Sequence, residues 1–189
     1  FLIFFFGYLF IAISWGMGSS LQIYMNTYFW EFKSIMLASY LGIYVLSTLS
    51  AYLIVPRLVQ VIEKKTILLI AISFAALIPP IPIILFINNL LPDTGTWNLF
   101  YATIPFVYVA NTCLSSSAII RESMLGDISD EVELESGIGQ QGLMFASSSL
   151  IGKLNTGLGI LMAGITLEFI NFPQGTDVTP SAENIFNLA

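Results

Sequence analysis

The stretch GQQGLMFASSSLIGKLNTGLGILMAGITL, residues 139–167, holds a single charge, Lys153. A helix crossing the hydrocarbon core of a bilayer needs about 20 predominantly apolar residues, so this stretch reads as a membrane span with a lysine near its middle. On insertion scales such a lysine costs roughly 2.5 to 3.5 kcal/mol, and it is expected to face protein or water rather than lipid. At about 100° per residue, Gly142, Ala146, Ser149, Gly152, Thr156, Gly157, Ala163 and Gly164 fall within a half-turn arc around Lys153. Leu143, Met144, Ile151, Leu154, Leu158, Leu161, Met162 and Ile165 lie across the helix, and Ile160 breaks the small face. Two readings follow. The small residues admit a neighbouring helix whose acid neutralises Lys153, or Lys153 faces a water-filled path. No other span carries Asp or Glu away from its ends, and the default for an intramembrane ionisable residue is function.

Outward from this span, uncharged stretches occupy residues 1–30, Ser34–Pro56, Thr66–Pro92 and Thr94–Ile120. The expected fold is all-α, a polytopic bundle with five spans at about 1–30, 34–56, 66–88, 98–120 and 139–168. Composition agrees: 56% of the 189 residues are hydrophobic, only 10% are charged, and the mean hydropathy is +0.84. A water-soluble domain carries about 25% charged residues. The absence of histidine removes imidazole-based triads, zinc and haem ligation and ordinary proton relays. Together with the lack of paired mid-span aspartates, it leaves an intramembrane enzyme the weakest class. The lone Cys113 precludes an intrachain disulfide, and a net charge of −6 argues against a nucleic-acid partner. No metal site or resident cofactor is expected. Because the chain opens on Phe1 within an apolar run lacking a basic flank, it reads as an excised piece of a longer protein.

Lysine and arginine accumulate in short cytoplasmic loops. Arg57, Lys64 and Lys65 lie in the connection Pro56–Lys65, and Arg121 in the connection Ile120–Gly139; only Lys33 lies on the other side. These two connections are therefore expected to be cytoplasmic, and the tail 173–189 extracellular or periplasmic. The Ile120–Gly139 connection, read as a loop, also holds Glu122, Asp127, Asp130, Glu131, Glu133 and Glu135. Its acids are expected to pair with Arg57, Lys64 and Lys65 in one conformation and to separate in another, as alternating access requires. Asp127, Asp130 and Glu131 are the acidic candidates for this cytoplasmic gate. Pro79, Pro80 and Pro82 interrupt the third span and Pro105 lies early in the fourth, where proline bends a helix. In the first span Trp15, Ser19, Gln22 and Asn26 share one face, suited to hydroxyl-rich ligands or to interhelical hydrogen bonding.

From Ser123 onward, three elements follow one another: an Asp-rich helix end (MLGDISDEVEL), a glycine-bearing turn (SGIGQQG) and a helix with a central lysine followed by glycines (GKLNTGLG). Together with the earlier PRLVQVIEKK, they resemble the C-terminal half of the glycoside-pentoside-hexuronide:cation symporter family. This is the melibiose-permease-like branch of the major facilitator superfamily. The resemblance is strongest from about Ala118 to Pro173. It implies that the five spans correspond to helices seven to eleven of a twelve-helix carrier, with the N-terminal bundle and last helix missing. It also implies symport of a sugar-like solute with sodium or a proton across the plasma (inner) membrane. On this mapping Lys153 lies near the cation and sugar pathway; helical spacing on the fifth and first spans adds Ser149, Thr156, Trp15, Gln22 and Asn26 as further candidates. Arg57 and Lys65 match the family's basic loop, while SGIGQQG lacks the arginines that members often carry there. The expected partners are the bilayer, a small solute and the missing helices. A lysophospholipid or other lipid-like solute is the alternative cargo, and a non-transporting structural subunit the alternative class.

Overall fold

The computed structural model describes residues 2–172 and Leu188, with side chains from Phe6 onward except Thr156. The tail residues 173–187 and Ala189 lie outside the described residues, and so does the expectation about their side of the membrane. The described chain is helical: α1 (Leu2–Tyr24), which runs into a π-helical turn (Met25–Phe29), α2 (Ser34–Leu58), α3 (Lys64–Leu77), α4 (Pro80–Ile87), α5 (Trp97–Ser136) and α6 (Gln141–Phe169). Among the described residues four segments are long and apolar enough to cross a membrane, namely α2, α3 with α4 taken together, α5 and α6. The uncharged α1 has 23 residues, about 35 Å at 1.5 Å per residue.

Local chemistry explains where these helices stop. Pro79 and Pro80 lack the N–H that would continue α3, so the third span divides there, with Pro80 in the first turn of α4. Thr96 opens α5 by accepting the Leu99 N–H on its hydroxyl at 3.2 Å, which satisfies one of the orphan amides of the first turn. Asn89 and Asn171 take left-handed backbone angles, φ 57° and 52°, just past α4 and α6. There the N–H groups of Leu90 and Phe172 reach back to the carbonyls of Leu85 and Leu167, closing both ends in the Schellman manner. Gly137, at φ +69°, ends α5 differently, its own N–H donating to the Glu133 carbonyl at 2.9 Å while the Ile138 N–H donates to the Ser136 hydroxyl at 3.3 Å.

The structure corrects one expectation outright. Residues 120–136 are not a loop: they continue α5, which runs unbroken for 40 residues. That is about 60 Å, twice the roughly 30 Å hydrocarbon thickness. The charges end the apolar run but do not break the helix, because Glu, Leu and Met are good helix formers, no proline follows Pro105 in α5, and the single glycine there, Gly126, is carried within the helix.

The chain forms two compact units, Phe32–Asp127 and the remainder. In the first, Val55 of α2, Ile67 of α3 and Ile120 of α5 form a buried cluster, flanked by Leu58, Val59, Leu68, Ile119 and Met124. An aromatic group of Phe32, Tyr40 and Phe100 holds the opposite end, with ring centroids 5.1 to 6.0 Å apart. In the second unit α1 packs along α6. The two helices meet at Gly16 and Gly159, both buried. A Cβ added to Gly159 would lie 2.6 Å from the Gly16 Cα, so only hydrogen fits at this crossing. Beyond it, Phe172 packs edge-on against Tyr24 and Tyr28, with centroids at 5.8 and 5.3 Å.

Many hydroxyls turn back on their own helices. Ser39, Ser73, Ser147 and Thr166 are on exposed turns, and each donates to the carbonyl four residues earlier at 2.8 to 2.9 Å.

Candidate functional site

Lys153 lies near the middle of α6 and is exposed, and no ion pair to it occurs among the described residues. Its direction follows from the packing of α6. Met144, Ile151, Gly159 and Ala163 are the buried residues among those described on this helix. At 100° per residue the first two lie nearly opposite Lys153, and the glycine crossing with α1 lies on that far side. Lys153 therefore points away from α1. Of the small residues grouped around it, Ala163 is buried, Gly152 is half-buried, and Gly142, Ala146, Ser149, Gly157 and Gly164 are exposed. The close helix approach thus occurs at Gly159, outside the small arc read from the sequence. Thr156 lies on α6, its side chain outside the described residues.

On α1, Trp15 and Gln22 are exposed, and Asn26 sits half-buried in the π-helical turn. Ser19, read as part of this face, spends its proton on the Gly16 carbonyl at 3.0 Å, which Ser20 also engages. The π-helical turn was not visible in the sequence, because no residue pattern distinguishes it from the last turn of an α-helix.

At the charged end, Lys64 Nζ meets Asp127 Oδ2 at 2.5 Å, joining the first residue of α3 to α5. Asp127 is 60% exposed, so the pair is worth about 0 to 1 kcal/mol. The other expected gate residues do not extend it into a network. Arg57 donates to the Leu53 carbonyl of its own helix at 3.0 Å. Asp130 accepts from the side-chain amide of Gln141 at 3.1 Å, which ties the end of α5 to the start of α6. Lys65 and Glu131 are exposed, without an ion pair among the described residues. The Asp127 and Asp130 carboxylates thus answer to different partners.

A second polar constellation escaped the sequence reading: a seam of side chains between α2 and α5. From one end to the other, the Tyr40 hydroxyl pairs with Thr103 at 3.2 Å. The Asn111 amide donates to the Ser47 hydroxyl at 2.5 Å, and the Thr112 hydroxyl donates to the Ser47 carbonyl at 3.4 Å. Thr48 pairs with Ser115 at 3.2 Å and Ser50 with Tyr108 at 2.5 Å. Ser47 is fully buried. The signal was present, since Tyr40, Tyr44, Ser47, Thr48 and Ala51 recur at helical spacing on α2, as do Tyr108, Asn111, Thr112 and Ser115 on α5. Every polar atom named here has a partner within the seam, so its chemistry is adhesion between helices.

One unit thus carries an exposed mid-span cation on an apolar helix, and the other an ion pair between α3 and α5. The sequence profile of the MFS/sugar transport protein family matches residues 1–189. The chain belongs to this family. No curated protein and no solved structure matches the chain. MFS/sugar transport proteins are transporters of the major facilitator type, which accounts for the membrane-spanning helices and places the protein among integral membrane proteins.

Proposed function

We propose that this chain is part of a secondary active transporter that moves a sugar or related solute together with a coupling cation, sodium or proton, by alternating access across the plasma (inner) membrane, as in the melibiose-permease-like branch. The observation that carries the reading is Lys153: an exposed cation in the middle of an apolar helix, on the side away from α1. Lipid is a costly surrounding for that charge, whereas a hydrated path lined by protein is not. Ser149, one turn before Lys153 on α6, carries a hydroxyl of the kind that binds sugar hydroxyls; Trp15, Gln22 and Asn26 carry indole and amide groups suited to the same ligands, but on α1 and its π-helical turn, the element that Lys153 points away from. The Lys64–Asp127 pair is weak enough to open and close within a transport cycle.

The test is uptake of radiolabelled mono- and disaccharides by proteoliposomes containing the complete transporter of which this chain is a part, with and without inward sodium or proton gradients. Gradient-driven accumulation is expected, and Lys153→Leu is expected to abolish it while the protein remains folded. Uptake indifferent to both gradients would remove coupling from the reading. Uptake of lysophospholipid but of no sugar would replace the solute class.

A further inference from the structure

α5 is one unbroken helix, yet the division between the two compact units falls inside it, between Asp127 and Ile128. Gly126 lies next to that division. Close approach of another backbone explains Gly16 and Gly159, whereas the other described helical glycines have open space where a Cβ would stand, and among these Gly126 alone adjoins the division between the units. A Cβ built on Gly126 meets nothing within 4 Å, so packing gives no reason for the missing side chain. What glycine does supply in a helix is backbone freedom, at the expense of helix stability.

Two further observations bracket the same point. Asp127, just past the glycine, is tied to Lys64 of α3, whereas Asp130, one turn further on, is tied to Gln141 of α6. Between them Ser129 is 1% exposed, and its hydroxyl has no hydrogen-bond partner among the described residues. A buried polar group left unsatisfied penalises the conformation that holds it and favours one in which it finds a partner.

We propose that Gly126 is the flexing point of α5, about which its apolar length and its acidic end move relative to one another. The Lys64–Asp127 and Gln141–Asp130 contacts act as separate anchors on the two sides. The use of this motion in transport rests on the alternating-access reading above; its existence does not.

Hydrogen exchange of the protein in nanodiscs tests it without any solute. Simple fraying makes exchange rise steadily toward Ser136. A flexing point instead gives a local maximum at the amides of residues 126–130, whose hydrogen bonds span or end on Gly126, above those of 131–134. Gly126→Ala, which the open space accommodates, is expected to erase that maximum. It should also lower sugar uptake turnover about fivefold, with half-saturation unchanged. Adding Ser123→Gly one turn upstream is expected to restore both. A monotonic rise toward Ser136, or an exchange maximum that survives Gly126→Ala, overturns the proposal, and uptake unaltered by Gly126→Ala overturns the use of the motion in transport. Should the unaltered protein take up no sugar, the transport reading fails, and the exchange maximum alone decides whether Gly126 flexes.

Discussion

Within one unit α1 and α6 meet backbone to backbone at two glycines; within the other α2 and α5 meet through a row of hydroxyls and an amide. In water both designs would be secondary to the hydrophobic effect, but lipid tails are as apolar as the side chains they touch and do not drive helices together. Association then rests on close packing or on interhelical hydrogen bonds, and this protein uses one of them in each unit. The glycine crossing tolerates no added atom, yet nothing in it selects a polar partner. The seam fixes the register of α2 against α5 at several positions, each of modest strength.

The largest expected effect is at the crossing. Gly159→Val places atoms where the Gly16 backbone already lies and is expected to destabilise the protein by about 3 kcal/mol, read as a lowered Tm in detergent. An unchanged Tm would mean that the two helices do not approach as closely as described. Next is Asn111→Ala, which strips the amide from buried Ser47, with an expected loss of about 1 to 2 kcal/mol. The double cycle with Ser47→Ala should give a coupling between about 0.6 and 1.7 kcal/mol; zero coupling would reduce the seam to coincidental proximity. Tyr40→Phe should cost less, about 0.5 to 1 kcal/mol, because Thr103 keeps its bond to the Phe100 carbonyl. The smallest change in stability, no more than about 1 kcal/mol, is expected for reversing the charge of Asp127. There the informative measurement is the ratio of inward-open to outward-open protein. If reversal at Asp127 and Asp130 leaves it unaltered, neither acid belongs to a gate.

Uncharged runs bounded by charge were enough to locate α2, the proline-divided third span and α6, because the requirement for an apolar helix of membrane length acts residue by residue along the chain. The apolar pattern alone missed the helical state of 120–136, since hydropathy reports where lipid ends and not where hydrogen bonding along the helix ends; only the resemblance read MLGDISDEVEL as a helix end. Lys153 stood out because one charge in an apolar stretch is legible without a partner. The seam was less legible for the opposite reason: Ser47 and Asn111 acquire meaning only when α2 and α5 lie side by side. The glycine crossing needed the same information, and the small residues nearest Lys153 in projection drew attention to the wrong side of α6.

The serines and threonines that bond back to their own helices alter how the composition itself should be understood. Ser39, Ser73, Ser147 and Thr166 enter any hydropathy sum as polar, yet each hydroxyl proton is already committed to a carbonyl one turn away. To a fatty-acid chain they present mainly carbon, and they ask nothing of a neighbouring helix. A hydropathy sum therefore overstates how much of this protein lipid must avoid, and the polar groups that constrain assembly are the fewer ones that bond across helices.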